Sequence, residues 1–179
     1  MKRDDLVAWL DRELDLSAYR SDHSNDGLQV EGAQEVTRAL FAVDGCLATF
    51  RLAAERGADF IFVHHGISWG GEPRRFTGIH AERFRVMFGN NISLYGVHLP
   101  LDAHPELGNN ARLAELAELT RLEPFCNYHG YDIGFLGHTK KLVKAAELEK
   151  ELGTKLKAKP RLIADDERIL KRIAVVSGG

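Results

Sequence analysis

The chain has 179 residues, 44% hydrophobic and 28% charged, with a formal net charge of -2. Such a chain can bury a core without metal or disulfide staples, and nothing in it reaches the length of a membrane span. The near-neutral balance and the absence of a long Lys/Arg run argue against a dedicated nucleic-acid surface, the short cluster "HTKKLVK" included.

Leu6, Leu10 and Leu14 recur at a spacing of four with charges between them, which predicts an amphipathic helix at the start of the chain. A polar loop, "RSDHSNDG", follows, and then two short strand-like stretches, "GLQVEG" and "ALFAVDG". "CLATFRLAAERG" predicts a helix closed by Gly57. "DFIFV" has no polar alternation, as expected of a strand buried on both faces of a parallel sheet. Beyond it come a helix around His80 to Phe88, a strand "ISLYGV" and a helix from about Asn110 to Glu118, capped by Asn109 or Asn110. The segment from Thr120 to His138 gives no clear pattern apart from a possible strand in "YDIGFLG"; "VKAAELEKELG" predicts a helix and "RIAVVSGG" a strand entering a Gly turn. The alternation implies an α/β fold with a mainly parallel sheet flanked by helices. It is expected to form one domain over 1–179, cut before its final βα units.

Ligands of open α/β sheets gather at the C-terminal strand ends. His64 and His65 follow "FIFV" at one such end and Asp102 follows "LYGVHLP" at another, so these three side chains could meet. Neighbours on an extended strand point to opposite faces. If the strand breaks into a turn, with Gly66 giving the backbone room, the two rings can splay toward two different ions bridged by a carboxylate or water. The plainer alternative is a His-His pair in an ordinary loop. His98 could pack in the core or orient a ligand, and Asp44 either joins the site or turns the chain before Gly45. His104 reads as loop surface, and His23, His80, His129 and His138 as surface or structural residues. Cys46 and Cys126 form no CxxC pair, and acids interrupt the apolar pattern of the N-terminus, so a reducing, cytoplasmic setting is expected.

The stretches "NDGLQVEG" (25–32), "GADFIFVHHGISWGGEP" (57–73) and "NISLYGVHLPLDAHPELGNNARL" (91–113), in this order, resemble the NIF-three-like dinuclear-metal-centre family of toroidal hexamers. Many of its members carry the label "GTP cyclohydrolase type-one, type-two homolog", and the likeness is to the short bacterial members. It implies that His64, His65 and Asp102 are metal ligands and that the chain forms a homohexamer, while His98 and Asp44 stay candidates, from their own positions, to stand behind those ligands. The family's remaining ligands, a His and a Glu, lie beyond the Gly-rich turn at which this sequence stops, which lowers the occupancy expected of the site. Many members have Thr where Asp44 stands.

Imidazole and carboxylate donors suit two divalent transition-metal ions, whether Zn, Fe, Mn, Ni or Co. A metal-dependent hydrolase acting on a nucleotide or other phosphate-containing small molecule is the first functional expectation. No general acid or base stands out, and no motif supports GTP ring opening. The alternatives are a non-catalytic metal-handling or regulatory oligomer and a toroidal nucleic-acid-associated scaffold, with nucleic acid disfavoured by the charge.

Overall fold

The computed structural model describes residues 1–71 and 75–178, so Glu72 and Pro73 at the end of the second motif, and Gly179, lie outside the described residues. The chain falls into two compact units, Met1–Leu101 and Asp102–Gly179.

In the first unit, helix α1 (Arg3–Glu13) and a single 3-10 turn (Leu16–Ala18) precede strands β1 (Gly27–Val30) and β2 (Ala39–Asp44). Helix α2 (Leu47–Glu55), strand β3 (Phe60–His65), helix α3 (Ile79–Gly89) and strand β4 (Ser93–Gly96) follow. The sheet order is β1-β4-β3-β2, with β2, β3 and β4 parallel and β1 antiparallel on β4. The apolar run of β3 is explained by two-sided burial. Ile61 and Val63 join Phe50 and Ala53 of α2 and Met87 of α3 in one core cluster, while Phe60 joins Leu10, Leu14, Tyr95 and Val97 in another that α1 covers. Gly57, at φ 63, closes α2 as its place in the sequence predicts. Strand β2 is an edge, and Phe41 and Val43 on it are 74% and 62% exposed.

Helix α4 (Leu99–Ala103) starts in the first unit and contains the boundary between the two. The second unit then has helix α5 (Asn109–Leu116), strands β5 (Leu119–Tyr128) and β6 (Tyr131–Lys144), helix α6 (Ala145–Leu156) and strand β7 (Ile169–Val175). Its three strands form an antiparallel sheet in the order β5-β6-β7. The α/β class and the helix-flanked, parallel-containing sheet are as the sequence implies; the antiparallel members are not. The β5-β6 pair arises because His129 and Gly130, at φ 52 and 94, make a tight two-residue turn that folds β6 back on β5. Neither Asn109 nor Asn110 caps α5, whose preceding residue is Gly108. Asn110 is instead fully buried and donates to the Ile133 carbonyl at 2.6 Å. Cys46 and Cys126 are free thiols, each partly exposed. Among the described residues no helix is long and apolar enough to cross a membrane.

Candidate metal centre

His64 and His65 are the last two residues of β3. The strand does not break before them: it stays in register with β2 as far as the pair Asp44↔His65. Strict alternation would send the rings to opposite faces, yet their centroids are 4.5 Å apart, since side chains at a strand terminus can lean past the sheet. His98, just after β4, brings a third ring to 5.1 Å from His64 and 5.7 Å from His65. One ligand atom from each of the three lies within 4.8 Å of the others, the only such group of three or more His, Cys, Asp or Glu among the described residues.

Each ring is oriented through Nδ1. His64 Nδ1 lies 3.0 Å from the Val97 carbonyl, His65 Nδ1 lies 2.8 Å from Asp44 Oδ1, and His98 Nδ1 lies 3.1 Å from both oxygens of Asp22. A carbonyl or an ionised carboxylate can only accept, so Nδ1 is the donor in all three rings, which leaves Nε2 as the nitrogen that a neutral ring offers to a ligand. Acceptors placed behind histidines in this way fix ring orientation and raise the basicity of the ligand nitrogen. This donor set fits a transition-metal ion.

The polar loop before β1 supplies much of this bracing. Asp22 accepts from the Leu99 backbone N–H at 3.0 Å as well as from His98, and Asp26 Oδ1 accepts from the His98 backbone N–H at 2.9 Å. Burial works against the Asp22 charge, but the bonds from His98, Ser24 and Leu99 outweigh it and hold the carboxyl below its ordinary value. For Asp26 burial wins, pushing it up to about 6 against the pull of Ser24 and the His98 N–H. Its Oδ2 is buried with no hydrogen-bond partner.

Gln29 on β1 braces the turn after the histidines. Its Oε1 accepts from the backbone N–H groups of Ile67 and Ser68 at 2.8 and 3.2 Å, and its Nε2 donates to the Asn25 carbonyl at 2.9 Å. This accounts for Gly66 in a way the sequence does not reveal. Gly66 is not in a left-handed conformation; a Cβ there would run into the Gln29 amide. Asp44, Asp22, Asp26 and Gln29 are thus the residues that position the cluster. Only Asp44 stands out in the sequence, because the other three lie 38 to 77 residues from what they hold.

Asp102 belongs to the second unit. It is 3% exposed, and its Oδ1 accepts from Asn109 Nδ2 at 2.9 Å and Ser177 Oγ at 2.7 Å. His104 Nδ1 accepts from the backbone N–H groups of Glu106 and Leu107, a loop-stabilising role.

The family model described as Duf34/NIF3 (NGG1p interacting factor 3) matches residues 1–179. The chain is 45% identical over 180 residues to the "GTP cyclohydrolase 1 type 2 homolog" of Pyrococcus horikoshii, covering 100% of this chain and 71% of that one. The protein of the same name from Deinococcus radiodurans is 47% identical over 135 residues, which is 75% of this chain and 51% of that one. Among solved structures, TTHA1606 from Thermus thermophilus superimposes with a TM-score of 0.86 at 35% identity, over 98% of this chain and 69% of that one. In each case the similar protein is the longer of the two.

Proposed function

Because this chain belongs to the Duf34/NIF3 family, we propose that His64, His65 and His98 are the histidine part of a dinuclear metal centre that hydrolyses a phosphate-containing small molecule, a nucleotide among them. The observation that carries this reading is the orientation of all three rings by acceptors at Nδ1, which commits three ring nitrogens to one small space. Asp102 enters as the carboxylate ligand from its motif. Zn, Fe, Mn, Ni and Co all suit such donors.

When bound, a two-metal centre lowers the pKa of a water and clamps the oxygens of a phosphoryl group. The chain's own residues prepare for that. Asp44 and Asp22 keep His65 and His98 turned, and Gln29 keeps the 66–68 turn clear of them. The relatives' name points to GTP, but this chain carries no motif for ring opening, so the proposed substrate class stays at phosphate esters and anhydrides.

A second reading, metal handling without turnover, draws support from the openness of the site: the His65 and Asp44 side chains are 43% and 65% exposed, which favours exchange of a bound ion. Assembly as a homohexamer or toroid is part of the proposal, and the exposed Phe41 and Val43 on the β2 edge supply apolar surface for self-association. Nucleic acid as a partner has only the toroid to recommend it, against a net charge of -2.

The deciding experiment is elemental analysis of protein purified without chelator, beside the double variant His64→Ala/His65→Ala. About two ions per chain, lost in the variant, support the centre and lead to assays on nucleotides and phosphoesters. Metal content that is negligible in both, or equal in both, refutes it.

A further inference from the structure

Trp69 stands beside the three histidines, and neither the metal reading nor the fold requires it. Its ring centroid is 5.0 Å from that of His98, at an interplanar angle of 72°, and 6.2 Å from that of His65. Its indole N–H donates to the Gly66 carbonyl at 3.0 Å, so its polar edge is satisfied within its own turn. The backbone is tied on both sides, by an antiparallel bridge between Ser24 and Trp69 and by the Gly70 N–H donating to the His23 carbonyl at 2.6 Å. The residue is nevertheless 40% exposed, and no described ring lies parallel to it. A large apolar ring has thus been fixed in place at the edge of a polar cluster without being buried by the fold.

We propose that Trp69 is a stacking platform for a planar heteroaromatic ring, so that the ligand of this site is an aryl or nucleoside phosphate whose ring lies on the indole while its phosphate is held at the histidine cluster. The proposal rests on the phosphate-binding reading above and narrows it. Stacking needs little more than an accessible π-face and tolerates any base. Because Trp69 is already pinned, docking a ring on it orders nothing further, which is the condition under which an aromatic contact yields its full effect.

The chain has two tryptophans, and Trp9 lies on α1, so Trp9→Phe leaves Trp69 as the sole indole emitter. Zinc-loaded Trp9→Phe protein is titrated with AMP, GMP and ribose 5-phosphate, which share the phosphate and differ in the ring. The expected result is quenching of Trp69 emission by AMP and GMP, with binding roughly tenfold tighter than that of ribose 5-phosphate. By calorimetry, Trp69→Ala removes this preference with zinc content unchanged, and Trp69→Phe keeps most of it. Equal affinity for all three probes, or a preference that survives Trp69→Ala, overturns the platform alone. No binding of any probe overturns the platform and the phosphate reading together.

Discussion

Gln29 and Gly66 are a matched pair: the amide that holds the turn after the histidines occupies the space a Cβ at residue 66 would need. Gln29→Ala forfeits three hydrogen bonds and is expected to cost about 1–3 kcal/mol in urea unfolding. Gly66→Ala, which displaces the same amide, should cost a similar ~1–3 kcal/mol. Since both act through one side chain, the double variant should be more stable than the sum predicts by at least ~0.5 kcal/mol; simple additivity would disprove the pairing. Asp26 makes a second prediction, for chelator-treated protein. Its folded value of about 6 lies above the ordinary value of 3.8, so the folded state binds the proton more tightly and loses stability as pH rises between the two. Asp26→Asn keeps an acceptor for the His98 N–H and removes the charge. It should therefore be more stable than the parent at pH 8 and no more stable at pH below 4, read from urea midpoints. His64 and His65 are legible in the sequence because a strand signal runs straight into them, and Asp44 because it ends the neighbouring strand. Asp22, Asp26 and Gln29 are not, because an acid or amide in a polar loop carries no local mark of the distant group it holds.

The elements divide in the same manner. Strand β3 announces itself, since the four-residue apolar run Phe60–Val63, with helices before and after it, has to be covered on both faces. Helix α2 supplies part of that cover through Phe50, which is fully buried against β3. Phe50→Ala is expected to cost about 3–5 kcal/mol in a denaturant titration, and a loss under ~1 kcal/mol would mean that the cluster closes over the gap. The 14-residue strand β6 is harder to read, because two of its buried positions are glycines. Gly134 faces the Val175 carbonyl, which a Cβ would approach to 2.5 Å, and Gly137 faces Leu122 and Leu119. Close packing at these points leaves gaps in the hydrophobic pattern where side chains would otherwise signal a strand. The tight turn at His129 and Gly130 is equally quiet, since only a positive φ at both residues distinguishes it from a loop.

For the molecule as a whole, a metal bound by the folded state alone must raise its stability. Zinc at about a hundred times its Kd should add about 2.7 kcal/mol, seen as a higher Tm. The gain should shrink in His98→Ala and vanish in His64→Ala/His65→Ala. An undiminished gain in the double variant would place the ion elsewhere on the chain. The class of the fold was readable from the alternation of strands and helices. Its division into two compact units was not, because the boundary falls inside α4, a short helix with no linker composition around it.

The bonds that brace the histidines also set a timetable for the nascent chain. His64 needs the Val97 carbonyl 33 residues later, and Asp22 waits for His98 and Leu99, 76 and 77 residues later. Chains grow at about 5–20 residues per second, and contacts so far apart close only once the intervening segment is available. During synthesis, then, His65 follows its partner Asp44 off the ribosome, but His64 emerges about 2–7 seconds before the Val97 carbonyl that orients it. On the proposed metal reading, the three-histidine cluster is braced and ready for an ion only after Leu99 has left the ribosome.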